Sequence, residues 1–428
     1  MKTLDDVDFK GKTAFVRVDL NCPVDEKTLK VEPSPRIAGH AQTVRELSDK
    51  GAKVVVLAHQ GRKGDYDCIS LSQHALFLGD EVAKAAGKKG APGSASAPEG
   101  NAQAEKATRA ESAIPKVKFV DDVCGEKAKS AIRSLSSGEI LLLDNVRFLD
   151  DETKYKTIEE NEKATIVREL FPLCDIFILD AFSAAHRAQA SIVGFHKKPV
   201  VAGRVMQREL EALRKLSSSS ARPAVFIFGG AKPDDSIGIM SQWLSEGKID
   251  HALACGVLGE LFILASGREL GKTVEFLKEK KALEYLPTAK ELLAKYDGKI
   301  HFPQDVAVDS DGKRKELPIS ALPSEHSILD IGKNTAKEYA GIISSAATAM
   351  MNGPAGVYEK PKFEYGTKEL LKAIEKSGAF SVMGGGHTIS AIDKFKIDKS
   401  KLGYVSLAGK ALIEYLSGEE LPGVKILG

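Results

Sequence analysis

The stretch AVFIFGGAKPDDSIGIM, Ala224 to Met240, decides the fold class. An apolar run stops at Gly229 and Gly230, a lysine follows, and a new amphipathic pattern then begins, which predicts a strand, a phosphate-sized loop and a helix. Glycines let backbone amides approach an anion closely, and the helix N-terminus carries positive partial charge. Lys232 adds a full charge where that dipole points. An ordinary βα turn with a surface lysine has the same pattern, and neither GxxxxGK[ST] nor GxGxxG is present.

Working outward, the second half repeats the theme. HALACG ends at Gly256, TAMMNGPAG contains Asn352, Gly353 and Gly356, FSVMGGGHT contains Gly384, Gly385, Gly386 and Thr388, and YVSLAGK ends at Lys410. Each reads as a buried parallel strand that opens a helix, so a doubly wound sheet with glycine turns on one edge is expected, an architecture that suits a nucleotide. Asn352 and Glu359 in NGPAGVYE add polar groups suited to a ribose or a phosphate.

The first half has the same period with different strand ends. TAFVRVDLN (Thr13 to Asn21) and AKVVVLAH (Ala52 to His59) read as buried strands around a helix, EILLLDNVRF (Glu139 to Phe148) as another that presents Arg147, and Ile176 to Leu179 as a fourth followed by Asp180, His186 and Arg187. In open α/β sheets ligands bind beyond the carboxyl ends of strands. Arg36, Arg62, Arg147 and Arg187, with His59 and His186, therefore come from separate βα units and are expected to converge. Several guanidinium forks in one place suit a small polyanion.

The chain has 428 residues, enough for two or three domains. Lys and Arg total 61 against 59 Asp and Glu, so any basic site must be local, and neither nucleic acid nor membrane is expected as a partner. Cys22, Cys68, Cys124, Cys174 and Cys255 show no CxxC spacing, which argues against a zinc site or a disulfide framework and for a reducing cytoplasm. No apolar run approaches ~18 residues and the N-terminus is acidic, so neither a membrane span nor a signal peptide is predicted. Gly87 to Pro115 is Gly, Ala, Ser, Pro and charge, and reads as a flexible surface insertion. A helical pattern over 202–216 followed by four serines marks the domain junction.

The series RVDLN, AHQGR, LLLDNVRF, DAFSAAHRAQAS, GGAKPDDSI, NGPAGVYE, GGGHT and LPGVKIL resembles the phosphoglycerate kinase family, in order and over the whole chain apart from the insertion. The resemblance implies two Rossmann-like domains closing about a hinge helix, at 1–200 and 201–404, with a tail, 405–428, returning to the first. It also implies a cytoplasmic monomer that uses ATP/ADP and Mg2+ with 3-phosphoglycerate and 1,3-bisphosphoglycerate. Carried over by position, the triose patch falls on Asp19, Asn21, Arg36, His59, Arg62, Arg147 and Arg187. The nucleotide side falls on Gly229, Gly230, Ala231, Lys232, Gly256, Asn352, Gly353, Glu359, Gly384, Gly385, Gly386 and Thr388. Catalytic contacts are assigned to Arg36, Lys232, Gly385 and Gly409.

Three positions depart from the family pattern. A second lysine is replaced by Ser236, the GGGDT aspartate that helps hold the magnesium nucleotide is His387, and a glycine triplet is reduced to Ala408 and Gly409 before Lys410. Archaeal relatives are expected to share the first two changes. Lys410, at a helix start, is a candidate to replace the charge missing at Ser236. The competing reading is a kinase fold that binds nucleotide without turnover. A dinucleotide-dependent dehydrogenase shares the fold class but needs the absent GxGxxG.

Overall fold

The computed structural model describes residues 1–85, 116–218 and 221–428; the proposed insertion at Gly87 to Pro115 lies outside the described residues. The chain divides into two compact units, Met1–Arg208 with Leu421–Gly428, and Glu209–Glu420. The division falls inside the helix Arg204–Ser218. Residues 405–420, assigned to the tail by sequence, belong to the second unit, because the helix Lys410–Leu416 buries Ala411, Leu412 and Leu416 there and Leu416 O accepts from Trp243 Nε1 at 2.6 Å.

Unit 1 is built on six parallel strands: β1 (Thr13–Arg17), β2 (Lys53–Leu57), β3 (Val117–Phe119), β4 (Ile140–Leu142), β5 (Ile176–Leu179) and β6 (Val200–Ala202). Their order is β3-β4-β2-β1-β5-β6. The chain winds outward from β1 through β2 in one direction and from β5 through β6 in the other, so the switch point lies between β1 and β5. Strands covered on both faces lose nearly all exposure, as Val16, Val54 to Val56 and Phe177 to Leu179 do. The strand expected over 139–148 is only three residues long, and Arg147 is delivered instead by a 3-10 turn, Val146–Phe148, which Asn145 caps by accepting the Arg147 N–H at 3.1 Å. Between β4 and β5 the extended backbone of Ala164 separates a 3-10 turn, Glu160–Lys163, from the helix Thr165–Leu170. Leu421–Gly428 is anchored where Gly423 N–H donates to Ala185 O at 2.8 Å.

Unit 2 has β7 (Ala224–Phe228), β8 (His251–Ala254), β9 (Ile300–His301), β10 (Asp305–Ser310), β11 (Lys313–Pro318), β12 (Ile328–Ile331), β13 (Thr348–Asn352), β14 (Phe380–Gly384) and β15 (Tyr404–Val405). Six are parallel in the order β15-β14-β13-β7-β8-β9, with the switch between β7 and β13. The opening stretch folds as expected: all five residues of β7 are buried, and Pro233, with its φ preset and no N–H to leave unpaired, starts the helix Pro233–Ser245. TAMMNGPAG does not open a helix directly; the next one is Tyr365–Ser377. A second sheet, β11-β10-β12, is antiparallel. Its hairpin turns at Asp311 (φ 53°) and Gly312 (φ 76°), positive at both central positions as a tight hairpin requires.

Candidate functional site

At the unit 1 switch point the side chains beyond the strand ends interlock. Asp19 is buried and takes Arg36 Nη1 on Oδ2 at 2.8 Å together with the Ser183 hydroxyl. Burial works against its charge, but Arg36 foremost holds the carboxyl well below the usual carboxylate range. The Asp19 N–H donates to His40 Nε2 at 3.2 Å and His40 Nδ1 donates to Asp180 Oδ2 at 2.8 Å, so a neutral imidazole bridges the ends of β1 and β5. Asn21 Oδ1 accepts the Gly61 N–H at 2.8 Å, tying the loop after β1 to the loop after β2.

His59 stands over an arginine absent from the sequence-derived site. Arg17, the last residue of β1 and fully buried, donates from Nη2 to His59 Nδ1 at 3.0 Å and from Nε to Ser191 Oγ at 2.9 Å. Ser191 Oγ in turn donates to Glu152 Oε1 at 2.6 Å. Burial lowers the Arg17 guanidinium to about 10 and raises the Glu152 carboxyl to about 7. Burial and the adjoining Arg17 hold His59 well below its ordinary range, so it is neutral. Arg147 is buried, donates from Nη1 to Gly61 O at 2.7 Å and has its Nε without a partner. Its charge is disfavoured by burial and by the like charges of Arg187 and Arg62, which lie near enough to act on it. Arg62 is exposed and Arg187 half-buried. Arg187 Nε donates to its neighbour His186 Nε2 at 3.0 Å.

At the unit 2 switch point the loops after β7 and β13 close on each other. Gly229 N–H donates to Asn352 O at 2.9 Å, Gly230 N–H to Pro354 O at 2.8 Å, and Gly256 N–H to Ala355 O at 3.1 Å. These amides are spent inside the protein, which corrects the expectation that those of Gly229 and Gly230 face an anion. The glycines are needed for close approach instead: a Cβ on Gly229 would lie 2.3 Å from Pro354 O, and one on Gly256 2.6 Å from Gly230 O.

Two adjoining cavities flank this junction. The first, about 700 Å³, is the more polar of the two and is lined by Gly229, Gly230, Ala231, Lys232, Asn352, Gly353, Gly385, Gly386 and Gly409, with Ser236, His387 and Lys410 among its other walls. The helices Pro233–Ser245 and Gly386–Lys394 both present their N-terminal turns to it, which favours an anion. Lys280 and Lys281 also line it; nothing in the strand-end pattern pointed to them. The second, about 340 Å³, is apolar, shares Gly230, Ala231, Pro354 and His387 with the first, and continues between Val257, Ile263, Phe276, Val306, Ile328 and Leu329.

Gly256 and Glu359 line the apolar cavity, whereas Gly384 and Thr388 line neither. A Cβ on Gly384 would meet Leu412 Cδ2 at 2.3 Å, and Thr388 Oγ1 is buried accepting the Gly353 N–H at 2.9 Å, so both shape the junction from behind. His387 Nδ1 lies 3.2 Å from Glu359 Oε1 at the cavity mouth. Among the described residues no group of three or more His, Cys, Asp or Glu is placed to hold a metal ion, so they build no cation cage. No helix among the described residues is long and apolar enough to cross a membrane, and the five cysteines are free thiols.

The family described as "Phosphoglycerate kinase" matches residues 4–419. The phosphoglycerate kinase of Methanothermobacter thermautotrophicus is 41% identical over 428 residues, covering 100% of this chain and 96% of the relative. That of Pyrococcus horikoshii is 36% identical, covering 100% and 97%. The crystal structure of phosphoglycerate kinase from Pyrococcus horikoshii OT3 superposes with a TM-score of 0.84 at 36% identity, covering 100% of this chain and 98% of that one. The structure from Coxiella burnetii gives 0.79 at 30% identity, covering 99% and 98%. Matched along its whole length in sequence and in fold, the chain belongs to the phosphoglycerate kinase family.

Proposed function

We infer that the chain catalyses reversible phosphoryl transfer between ATP and the carboxylate of 3-phosphoglycerate, giving 1,3-bisphosphoglycerate and ADP. The observation that carries this reading is that one chain has converging arginines at one switch point and a glycine-walled cavity with two helix N-termini at the other, within a family match over residues 4–419. A nucleotide-binding protein without turnover has no need of the first. Phosphoryl transfer asks little covalent help of a protein; positioning and charge neutralisation supply most of the effect. The acceptor is an already ionised carboxylate, so no general base is required.

In this reading Arg62, Arg147, Arg187 and neutral His59 bind the triose phosphate, and Asp19 and Asn21 meet its hydroxyl and carboxylate end. Asp19 also orients Arg36, and the family resemblance assigns Arg36, Lys232, Gly385 and Gly409 to contacts with the transferred phosphoryl. The polar cavity takes the ATP phosphates, held at the two helix N-termini and by Lys232, and Glu359 with Asn352 meets the ribose. Magnesium would enter with the nucleotide, where it would neutralise phosphate charge; its oxygen ligands would come from the phosphates and water more readily than from His387, a poorer magnesium ligand than a carboxylate.

The same reading makes the protein a cytoplasmic monomer acting on small molecules. A coupled assay with ATP, 3-phosphoglycerate and Mg2+, following the bisphosphate through NADH oxidation, tests the activity. Saturable turnover is expected; nucleotide binding without turnover would refute it.

A further inference from the structure

We propose that Glu260 is the base-reading residue of the nucleotide site, its carboxyl group pairing with the amine-bearing edge of adenine inside the apolar cavity. The inference rests on the functional reading above and adds a specificity determinant to it.

Glu260 sits in the first turns of the helix Gly256–Ala265, which starts at the glycine junction, and it lines the apolar cavity. Its residue is 7% exposed and its Oε2 is buried with no hydrogen-bond partner. A buried polar atom left unpaired is costly, and such atoms call for an explanation. Three other polar side chains lining this cavity are already engaged. Thr273 Oγ1 accepts the Ile328 N–H at 3.0 Å, Asp330 Oδ2 takes Arg314 Nη1 at 2.7 Å, and Glu359 pairs with His387. Besides the half-buried Ser327, Glu260 is therefore left to meet a ligand, and its Oε2 is the buried carboxylate oxygen without a partner.

The cavity suits a planar base. It adjoins the larger, more polar cavity across Gly230 and Pro354, and its walls are mostly aliphatic and aromatic. Pockets of this kind fix orientation with a few placed polar groups. Burial alone raises the Glu260 carboxyl to about 8, so it is protonated at neutral pH and offers one donor and one acceptor side by side. Adenine answers that pattern on both sides of its exocyclic amine, since the amine donates and N1 and N7 accept. Guanine also sets an acceptor beside a donor, O6 next to N1–H, so a protonated carboxyl does not reject it; the discriminating comparison is with a purine that lacks the 6-amine.

Isothermal titration of the full-length protein at pH 7 with ADP, GDP and purine riboside diphosphate, which lacks the 6-amine, tests this in the wild type, Glu260→Gln and Glu260→Leu. The wild type is expected to bind ADP roughly tenfold more tightly than purine riboside diphosphate, the size of one or two neutral hydrogen bonds, and to bind GDP, which can pair through O6 and N1–H, about as tightly as ADP. Glu260→Gln, which also has one donor and one acceptor, is expected to keep that preference. Glu260→Leu, which suits the apolar walls, is expected to bind all three within about threefold of each other. Unchanged selectivity in Glu260→Leu, or loss of selectivity in Glu260→Gln, would overturn the assignment. Failure of the wild type to bind any of the three would instead refute the nucleotide reading of the cavities.

Discussion

Arg17 Nη2 lies 3.0 Å from His59 Nδ1, and this contact fixes the tautomer of a histidine in the arginine cluster. A guanidinium has only donors, so Nδ1 must accept and the ring proton resides on Nε2. His59 is thereby a neutral donor on its Nε2 side, and its neutrality follows from burial and the Arg17 charge. Arg17→Gln keeps a donor and removes the charge. We expect the His59 pKa to rise in this variant, from a wild type that titrates well below the ordinary histidine range, read from imidazole proton shifts. A His59 that titrates near its ordinary value in the wild type would contradict this account.

The sequence made the strand ends visible because charged or glycine residues interrupt runs that are otherwise apolar: Asp19, His59, Arg147 and Gly229 all stand out in this way. Arg17 did not, because it lies within the apolar alternation of TAFVRVDLN and nothing local says that it points toward Ser191, 174 residues away. The antiparallel sheet was also missed, although Asp311–Gly312 between two short runs is a hairpin signal. That omission hid the apolar cavity, whose wall includes Val306 and Ile328 from β10 and β12. The glycine turns were found, but their mechanism was not. Which amides are spent across β7 and β13 depends on the pairing of distant loops, and one-dimensional spacing carries no such information.

Close approach rather than amide donation at Gly229 has a measurable consequence. A methyl there would stand 2.3 Å from Pro354 O and 2.7 Å from Gly353 O, both backbone atoms with little freedom to move. Gly229→Ala is expected to lower stability by about 1–3 kcal/mol, the usual cost of overpacking, and to weaken nucleotide binding. Gly386→Ala is the contrasting case, since nothing lies within 4 Å of its added Cβ. Denaturant unfolding should show it near wild-type stability, with any loss confined to nucleotide affinity. Equal stability of the two variants would remove the basis for the distinction.

Lys410 lines the polar cavity with Ser236 and Lys232, at the start of the helix Lys410–Leu416. Its Nζ lies 2.9 Å from Glu414 Oε1 on a side chain that is 66% exposed, so the pair is a weak surface one that a bound polyphosphate can outcompete. Replacing the charge lacking at Ser236 is the role proposed for it. Lys410→Ala is expected to reduce kcat roughly tenfold, corresponding to about 1.4 kcal/mol of transition-state stabilisation, with stability little changed. Unchanged kcat would leave the cation role to Arg36 and Lys232.

Burial of Glu260 also predicts how stability depends on pH. Its carboxyl is raised to about 8 in the folded protein, while in the unfolded chain it has the ordinary value near 4.5. Between roughly pH 5 and 8 the folded state therefore holds a proton that the unfolded state has released. Stability from this group falls as pH rises through that window, by up to about 1.4 kcal/mol per unit, and the fall ends once the folded carboxyl ionises. Glu260→Gln removes the titration while preserving shape. The stability of Glu260→Gln relative to wild type, from urea midpoints at pH 5, 6.5 and 8 without nucleotide, is expected to increase steadily with pH. A difference that stays constant across the three values would mean that Glu260 is ionised in the folded protein, and the carboxyl would then have to meet its ligand as an acceptor only.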